Sequence, residues 1–116
     1  MKLLPSLLLI MASACSQSPD GGHIALMDAI DRRLVMPPKA HPLREYARYY
    51  ARRQDGKIAI FLTAYVNMPS TPEAGERRWI DLRLMPDASD GGCGIINAVY
   101  DPSVDRVDQI RCNGPN

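Results

Sequence analysis

Three cysteines, two histidines and a run of alternating arginines and tyrosines are the residues whose chemistry could matter most in this chain. Cys93 lies in the glycine-rich stretch "DGGCG", where an exposed thiol could act as a nucleophile. A structural disulfide with Cys112 accounts for it better. His23 and His41 belong to no set with metal-ligand spacing. Asp87 and Asp90 occur among glycines in "DASDGGCG", but a calcium loop of the helix–loop–helix kind needs fixed ligand positions and a closing glutamate. Dinucleotide, phosphate-loop and nucleophile-elbow patterns are all missing from the sequence. The sequence therefore leads us to expect no catalytic residues, no metal and no cofactor.

The stretch "REYARYYARR", residues 44–53, is the strongest remaining candidate. As a helix it would place Arg44, Arg48 and Arg52 four apart on one stripe. As a strand it would place Arg44, Tyr46, Arg48, Tyr50 and Arg52 on one face. The following segment, "QDGKIAIFLTAYVNM", decides between the two. Asp55-Gly56 signals a two-residue hairpin turn, flanked by alternating sequence. With that turn, Ala51 opposes Ile60, Tyr49 opposes Leu62, Ala47 opposes Ala64 and Glu45 opposes Val66. The other face pairs Arg52 with Ala59, Tyr50 with Phe61, Arg48 with Thr63 and Tyr46 with Tyr65. Both arms then choose the same apolar inside, which a helix could not arrange. The residues Arg44, Tyr46, Arg48, Tyr50, Arg52, Phe61 and Tyr65 form a candidate binding face, because Tyr and Arg are enriched where binding energy concentrates. The competing expectations are a solvated face of arginine stems lying across rings, or partial cover by a helix.

A helix is available to pack on this sheet. Ile24, Met27, Ile30 and Leu34 recur at helical spacing, with Asp28, Asp31, Arg32 and Arg33 on the other face. Asp20 is the expected N-cap, and Pro37-Pro38 stops the helix, which predicts a span of residues 22–35. "PSTPEAGE", residues 69–76, is expected to be a mobile loop. "RWIDLRL", residues 78–84, alternates and is expected to be a strand. In the last unit Asp101-Pro102-Ser103-Val104 forms a turn. With Pro102 and Ser103 central, Val99 opposes Arg106, Ile95 opposes Ile110, and Cys93 opposes Cys112. Directly opposed residues have Cα atoms ~4.5–5.5 Å apart, within disulfide range. The expected fold class is α+β: an N-terminal amphipathic helix packed on an antiparallel sheet of about five strands, with one disulfide. Ala47, Tyr49, Ile60, Leu62 and Val66 make the expected inner face.

The first residues are expected to lie outside that domain. Met1-Lys2 is a short positive region, and the apolar run over residues 3–11 is broken only by Pro5. It is too short to span a bilayer, which takes ~20 apolar residues. Small residues follow, Ala12-Ser13-Ala14, and then Cys15. This pattern predicts a signal peptide over residues 1–14, a polar tether over 15–22 and a single small domain over 23–116. Ala12-x-Ala14 suits ordinary cleavage. "LLLIMASAC" also resembles the lipobox of bacterial lipoproteins, with Ala12 where leucine is usual. That resemblance implies that Cys15 carries acyl chains such as palmitate and tethers the protein to a membrane. The cysteine count agrees, since an odd number in an exported chain leaves one thiol over. Loss of Lys2 with the leader leaves thirteen basic against thirteen acidic residues, so the electrostatic footprint of a nucleic-acid binder is missing. The run "DGGCGIINAVYDP…IRCNG" looks like part of small, uncharacterised proteobacterial exported proteins, a resemblance that implies no activity. The expected function is a non-catalytic cell-envelope lipoprotein that binds an envelope protein or a ligand through the Arg/Tyr face. It would face the periplasm, and Ser16 after the lipid cysteine favours the outer membrane. The alternative is a secreted, soluble periplasmic inhibitor or accessory domain without a lipid.

Overall fold

Three residues, Gln54, Asp55 and Gly56, set which face of the first hairpin turns inward. The computed structural model describes residues 21–114, and within it β1 (Ala47–Arg52) pairs antiparallel with β2 (Ile58–Thr63). The Arg53 amide donates to the Lys57 carbonyl at 2.8 Å, and the Gly56 amide donates to the Arg53 carbonyl at 3.1 Å. Gly56 has φ +89°, the left-handed conformation that closes a three-residue loop and that glycine adopts without a steric penalty. The expected two-residue turn is thus one residue too short. Ala47 opposes Thr63, Tyr49 opposes Phe61 and Tyr50 opposes Ile60. A slip of one residue sends every side chain of a strand to the other face. Ile60 and Leu62 do join the main core as expected, but they lie opposite Tyr50 and Arg48, and the tyrosines that share the core with them are Tyr46 and Tyr50. Ala47 and Tyr49 lie on the opposite face, and Val66 falls beyond the end of β2.

The sheet is completed by β3 (Arg77–Trp79), β4 (Gly92–Asp101) and β5 (Arg106–Asn113), in the order β3-β1-β2-β4-β5. It is mixed rather than antiparallel throughout, because β3 runs parallel to β1 at one edge. The strand expected over residues 78–84 is cut short. The Asp81 carboxylate accepts from the Arg83 amide at 2.9 Å and caps a 3-10 turn at Leu82–Leu84 instead. The alternation of Ile80, Leu82 and Leu84 therefore marks no strand face. The loop expected to be mobile is tied internally: Asn67 Oδ1 accepts from the Ala74 amide at 3.0 Å, and Thr71 Oγ1 accepts from the Met68 amide at 2.9 Å.

One helix, α1 (Ile24–Arg33), covers one face of the sheet. It is two residues shorter at each end than expected. Its place relative to residues 1–20, Asp20 included, lies outside the described residues. Met27 and Ile30 are its buried pair, packed with Tyr46, Tyr50, Ile58, Ile60, Leu62, Ile96, Ala98 and Tyr100. Ile24 is 45% exposed while Leu34 packs partly buried against the core, so the apolar stripe is open only at its first residue. The opposite face is closed as well, with Ala47, Ala51, Phe61, Thr63 and Ile95 all buried. The chain between β3 and β4 is pinned there, since Ala88 and Asp90 carbonyls accept from Asn113 Nδ2 at 2.7 and 2.8 Å.

The cysteine hairpin forms with a longer loop than expected. The turn Asp101–Val104 is present, with Asp101 Oδ1 accepting from the Ser103 amide at 2.9 Å. Val104 and Asp105, the latter at φ +51°, lengthen the loop to residues 102–105, so Asp101 rather than Val99 meets Arg106. Two register shifts along β4 absorb the difference, and at the base Gly92 opposes Asn113. In the ladder Cys112 opposes Ile96 rather than Cys93, and Ile110 opposes Ala98 rather than Ile95, yet the shift between Gly92 and Ile96 leaves Cys93 and Cys112 disulfide-bonded with Cα atoms 4.4 Å apart.

Candidate functional site

The alternating arginines and tyrosines of β1 point at α1, and their chemistry is spent there. Arg48 is only 8% exposed, although it carries a full charge. Its Nη2 donates to Asp31 Oδ2 on α1 at 3.1 Å, and its Nη1 donates to the Leu43 and Tyr46 carbonyls at 3.1 and 3.2 Å. Its Nε donates to the Tyr50 hydroxyl at 3.1 Å, and that hydroxyl donates to Asp31 Oδ1 at 2.5 Å. Arg77 on β3 adds Nη1 to Asp28 Oδ1 at 2.8 Å and to Asp31 Oδ2 at 3.2 Å. A buried charge is tolerable when it is paired and its hydrogen-bonding atoms are satisfied, and Arg48 meets both conditions. Burial, reinforced by the Asp31 carboxylate, pushes the Tyr50 phenol well above its ordinary range.

A second tie lies at the C-terminal residue of α1. Arg33 Nη2 donates to Asp105 Oδ2 at 2.7 Å, and the Tyr100 hydroxyl donates to Asp105 Oδ1 at 2.5 Å. Burial and that hydrogen bond push Tyr100 up to about 12, while Arg33 and Tyr100 hold the Asp105 carboxyl below the usual carboxylate range. Tyr46 serves the cysteine end: its hydroxyl donates to the Cys93 carbonyl at 2.6 Å and accepts from the His41 amide at 3.1 Å.

The seven residues expected to form one binding face are therefore not one surface. Tyr46 and Tyr50 are fully buried and Arg48 nearly so, all beneath α1. Phe61 is 5% exposed on the other side of the sheet, tilted against Tyr49 with ring centroids 6.3 Å apart. Arg44 sits exposed in the 3-10 turn Leu43–Glu45, before β1 begins. Tyr65 is 52% exposed. Arg52, the last rung, is exposed. The physical reason is the three-residue turn, which aims the ladder at the helix. Asp31 then makes that burial tolerable for Arg48.

Of the rungs left open to solvent, Arg52 has aromatic neighbours. Its guanidinium carbon lies 5.7 Å from the centre of the Trp79 ring. His23, just before α1, stacks on the same indole with centroids 3.9 Å apart and planes 5° from parallel. His23 Nδ1 is buried without a hydrogen-bond partner. A depression of about 400 Å³ adjoins this corner, lined by Arg52, Gln54, Trp79, Ile80, Asp81, Leu82 and Arg83. The sequence signal for it was thin: Trp79 is the chain's single tryptophan, and His23 precedes a helical pattern. Nothing in spacing joins residues 23, 52 and 79, because the parallel pairing of β3 with β1 brings them together.

Cys93 is disulfide-bonded and Cys15 lies outside the described residues. Among the described residues, no group of three acidic, histidine or cysteine side chains is placed to hold a metal ion. No helix among them is long and apolar enough to cross a membrane. No protein family, curated protein or solved structure matches this chain.

Proposed function

We propose that this chain is a non-catalytic binding domain of the bacterial cell envelope, anchored by lipid on Cys15 and carried on a short polar tether. The observation that supports this reading best is the Cys93–Cys112 bond. It accounts for two of three cysteines and leaves Cys15, at the end of "LLLIMASAC", as the one to be modified. Disulfides persist in oxidising compartments such as the periplasm, which agrees with export. Several acyl chains anchor a protein firmly, whereas one alone binds only marginally. Partner or ligand contact falls to the solvent-facing ends of the ladder, Arg44, Arg52 and Tyr65, and not to its buried centre. Ser16 favours the outer membrane, with the domain in the periplasm.

The test is the intact mass of the mature protein from an envelope fraction, before and after reduction and alkylation. The expected mass begins at Cys15 and includes acyl chains, and C15A shifts the protein to the soluble fraction. An unmodified Cys15 overturns the anchor. It would favour the second reading, a soluble periplasmic inhibitor or accessory domain, which the Ala12-x-Ala14 cleavage pattern supports.

A further inference from the structure

We propose that the depression between the β1–β2 turn and the turn after β3 binds a small organic anion: a carboxylate carried on a compact apolar body. This rests on the binding-domain reading above and adds to it a site and a ligand class. The lining comes from different parts of the chain. Arg52 and Gln54 come from the first hairpin, and Trp79, Ile80, Asp81, Leu82 and Arg83 from β3 and the turn after it. A volume of about 400 Å³ suits a small molecule rather than a polymer.

The charge balance of the lining selects an anion. Asp81 is already matched, since it accepts from Arg83 Nε at 3.0 Å, from Arg83 Nη2 at 3.2 Å and from the Arg83 amide at 2.9 Å. Arg52 is not matched. Among the described residues it meets no carboxylate, and its hydrogen bond to the Gly56 carbonyl is long, at 3.5 Å. A guanidinium has five N–H donors in a planar fork suited to a carboxylate. Arg52 thus offers nearly its whole set, and Arg83 lines the same depression. Leu82, 40% exposed, and Ile80 also line it, which gives apolar surface for the body of the ligand. The position of Arg52 is itself informative. Its neighbours on the same face, Arg48 and Tyr50, are turned into the Asp31 network, while Arg52 lies past the reach of α1 and is left to solvent.

The single tryptophan, Trp79, lines the site and reports on it directly. The purified mature chain is titrated with cyclohexanecarboxylate, with its neutral counterpart cyclohexanemethanol, and with acetate, following tryptophan emission. Amide shifts of Gln54 and Leu82 detect binding that leaves emission unchanged. The expected result is saturable binding of cyclohexanecarboxylate in the range of roughly 1 mM, as befits a ligand fragment. Acetate and the alcohol bind at least about tenfold more weakly, and R52Q weakens the carboxylate about tenfold or more without moving the melting temperature. Salt weakens the carboxylate further. No saturable response in either readout overturns the proposal, as does equal binding of the alcohol or an unchanged titration in R52Q. A failed titration on protein acylated at Cys15 removes the ligand class and leaves the anchored domain standing. A positive titration with unmodified Cys15 does the reverse.

Discussion

Replacing Asp31 with alanine tests the central physical claim, that the Arg48–Asp31–Tyr50 network holds α1 to the sheet. Asp31 accepts from Tyr50, Arg48 and Arg77 at 2.5, 3.1 and 3.2 Å, with side chains of Asp31 and Arg48 only 16% and 9% exposed. Removing one member of a buried pair typically costs ~3–5 kcal/mol, because the other charge is left without compensation. Arg48 would keep its bonds to the Leu43 and Tyr46 carbonyls, and Arg77 would keep Asp28, which places D31A at the low end. We expect a loss of about 3 kcal/mol, out of a total of roughly 5–15 kcal/mol for a domain of this size. That corresponds to a fall in melting temperature of about 12–24 °C. The assay is thermal and denaturant unfolding by circular dichroism, under oxidising conditions so that the disulfide stays closed. The double variant D31L/R48M should recover all but ~1 kcal/mol, since well-packed apolar replacements for a buried pair are often neutral. A loss in D31A below about 1 kcal/mol would show the network to be worth no more than a solvated surface pair. Equal instability of the double variant would show that shape, and not charge, is what α1 requires.

Other outcomes follow from the same geometry. Tyr100 is raised from 10.0 to about 12 by burial and by Asp105, so the folded state favours its neutral form. Its contribution is fully present below pH 10.0 and is lost as pH rises towards about 12, and Y100F should flatten that alkaline decline in a pH series of unfolding curves. Opening the Cys93–Cys112 bond, by reductant or in C93S/C112S, should cost about 3 kcal/mol on the chain-entropy account of a loop of about twenty residues. Equal melting curves with and without reductant would refute that. G56A should cost ~1–2 kcal/mol, because an L side chain at φ +89° is strained even though nothing crowds the position. G91A should cost more, since its Cβ would lie 2.6 Å from Ile95 Cγ1 at φ +117°. A melting temperature for G91A above that of G56A would contradict this order.

The strand nature of residues 47–52, the helix around Met27 and Ile30, and the joining of Cys93 to Cys112 were all legible in sequence. Each rests on a local rule: alternation, helical spacing, and a turn between two cysteine-bearing arms. The turn at Asp55-Gly56 was legible too, but its length was not. Asp-Gly serves either a two-residue loop or, with Gln54 in front, a three-residue one. Alternation favoured the face of Ala47, Tyr49 and Ala51, because the other face carries arginines, and nothing local to the strand revealed that a helix carboxylate would pair with Arg48. The parallel strand β3 was out of reach for another reason. Its partner lies about thirty residues upstream, and three residues of strand pattern name no neighbour.

By itself the sequence determined the helix, the two hairpins and the staple, because turn chemistry and periodicity act over a few residues. The tertiary structure alone decided which face of β1 is inside. One extra turn residue aimed Tyr46, Arg48 and Tyr50 at α1, where Asp31 supplies the charge that lets an arginine stay buried. The same decision left Arg52 beyond the end of that network, beside Trp79 and open to solvent. Pattern could not separate the rungs of one ladder, since only the position of a helix carboxylate makes one of them structural and another available for binding.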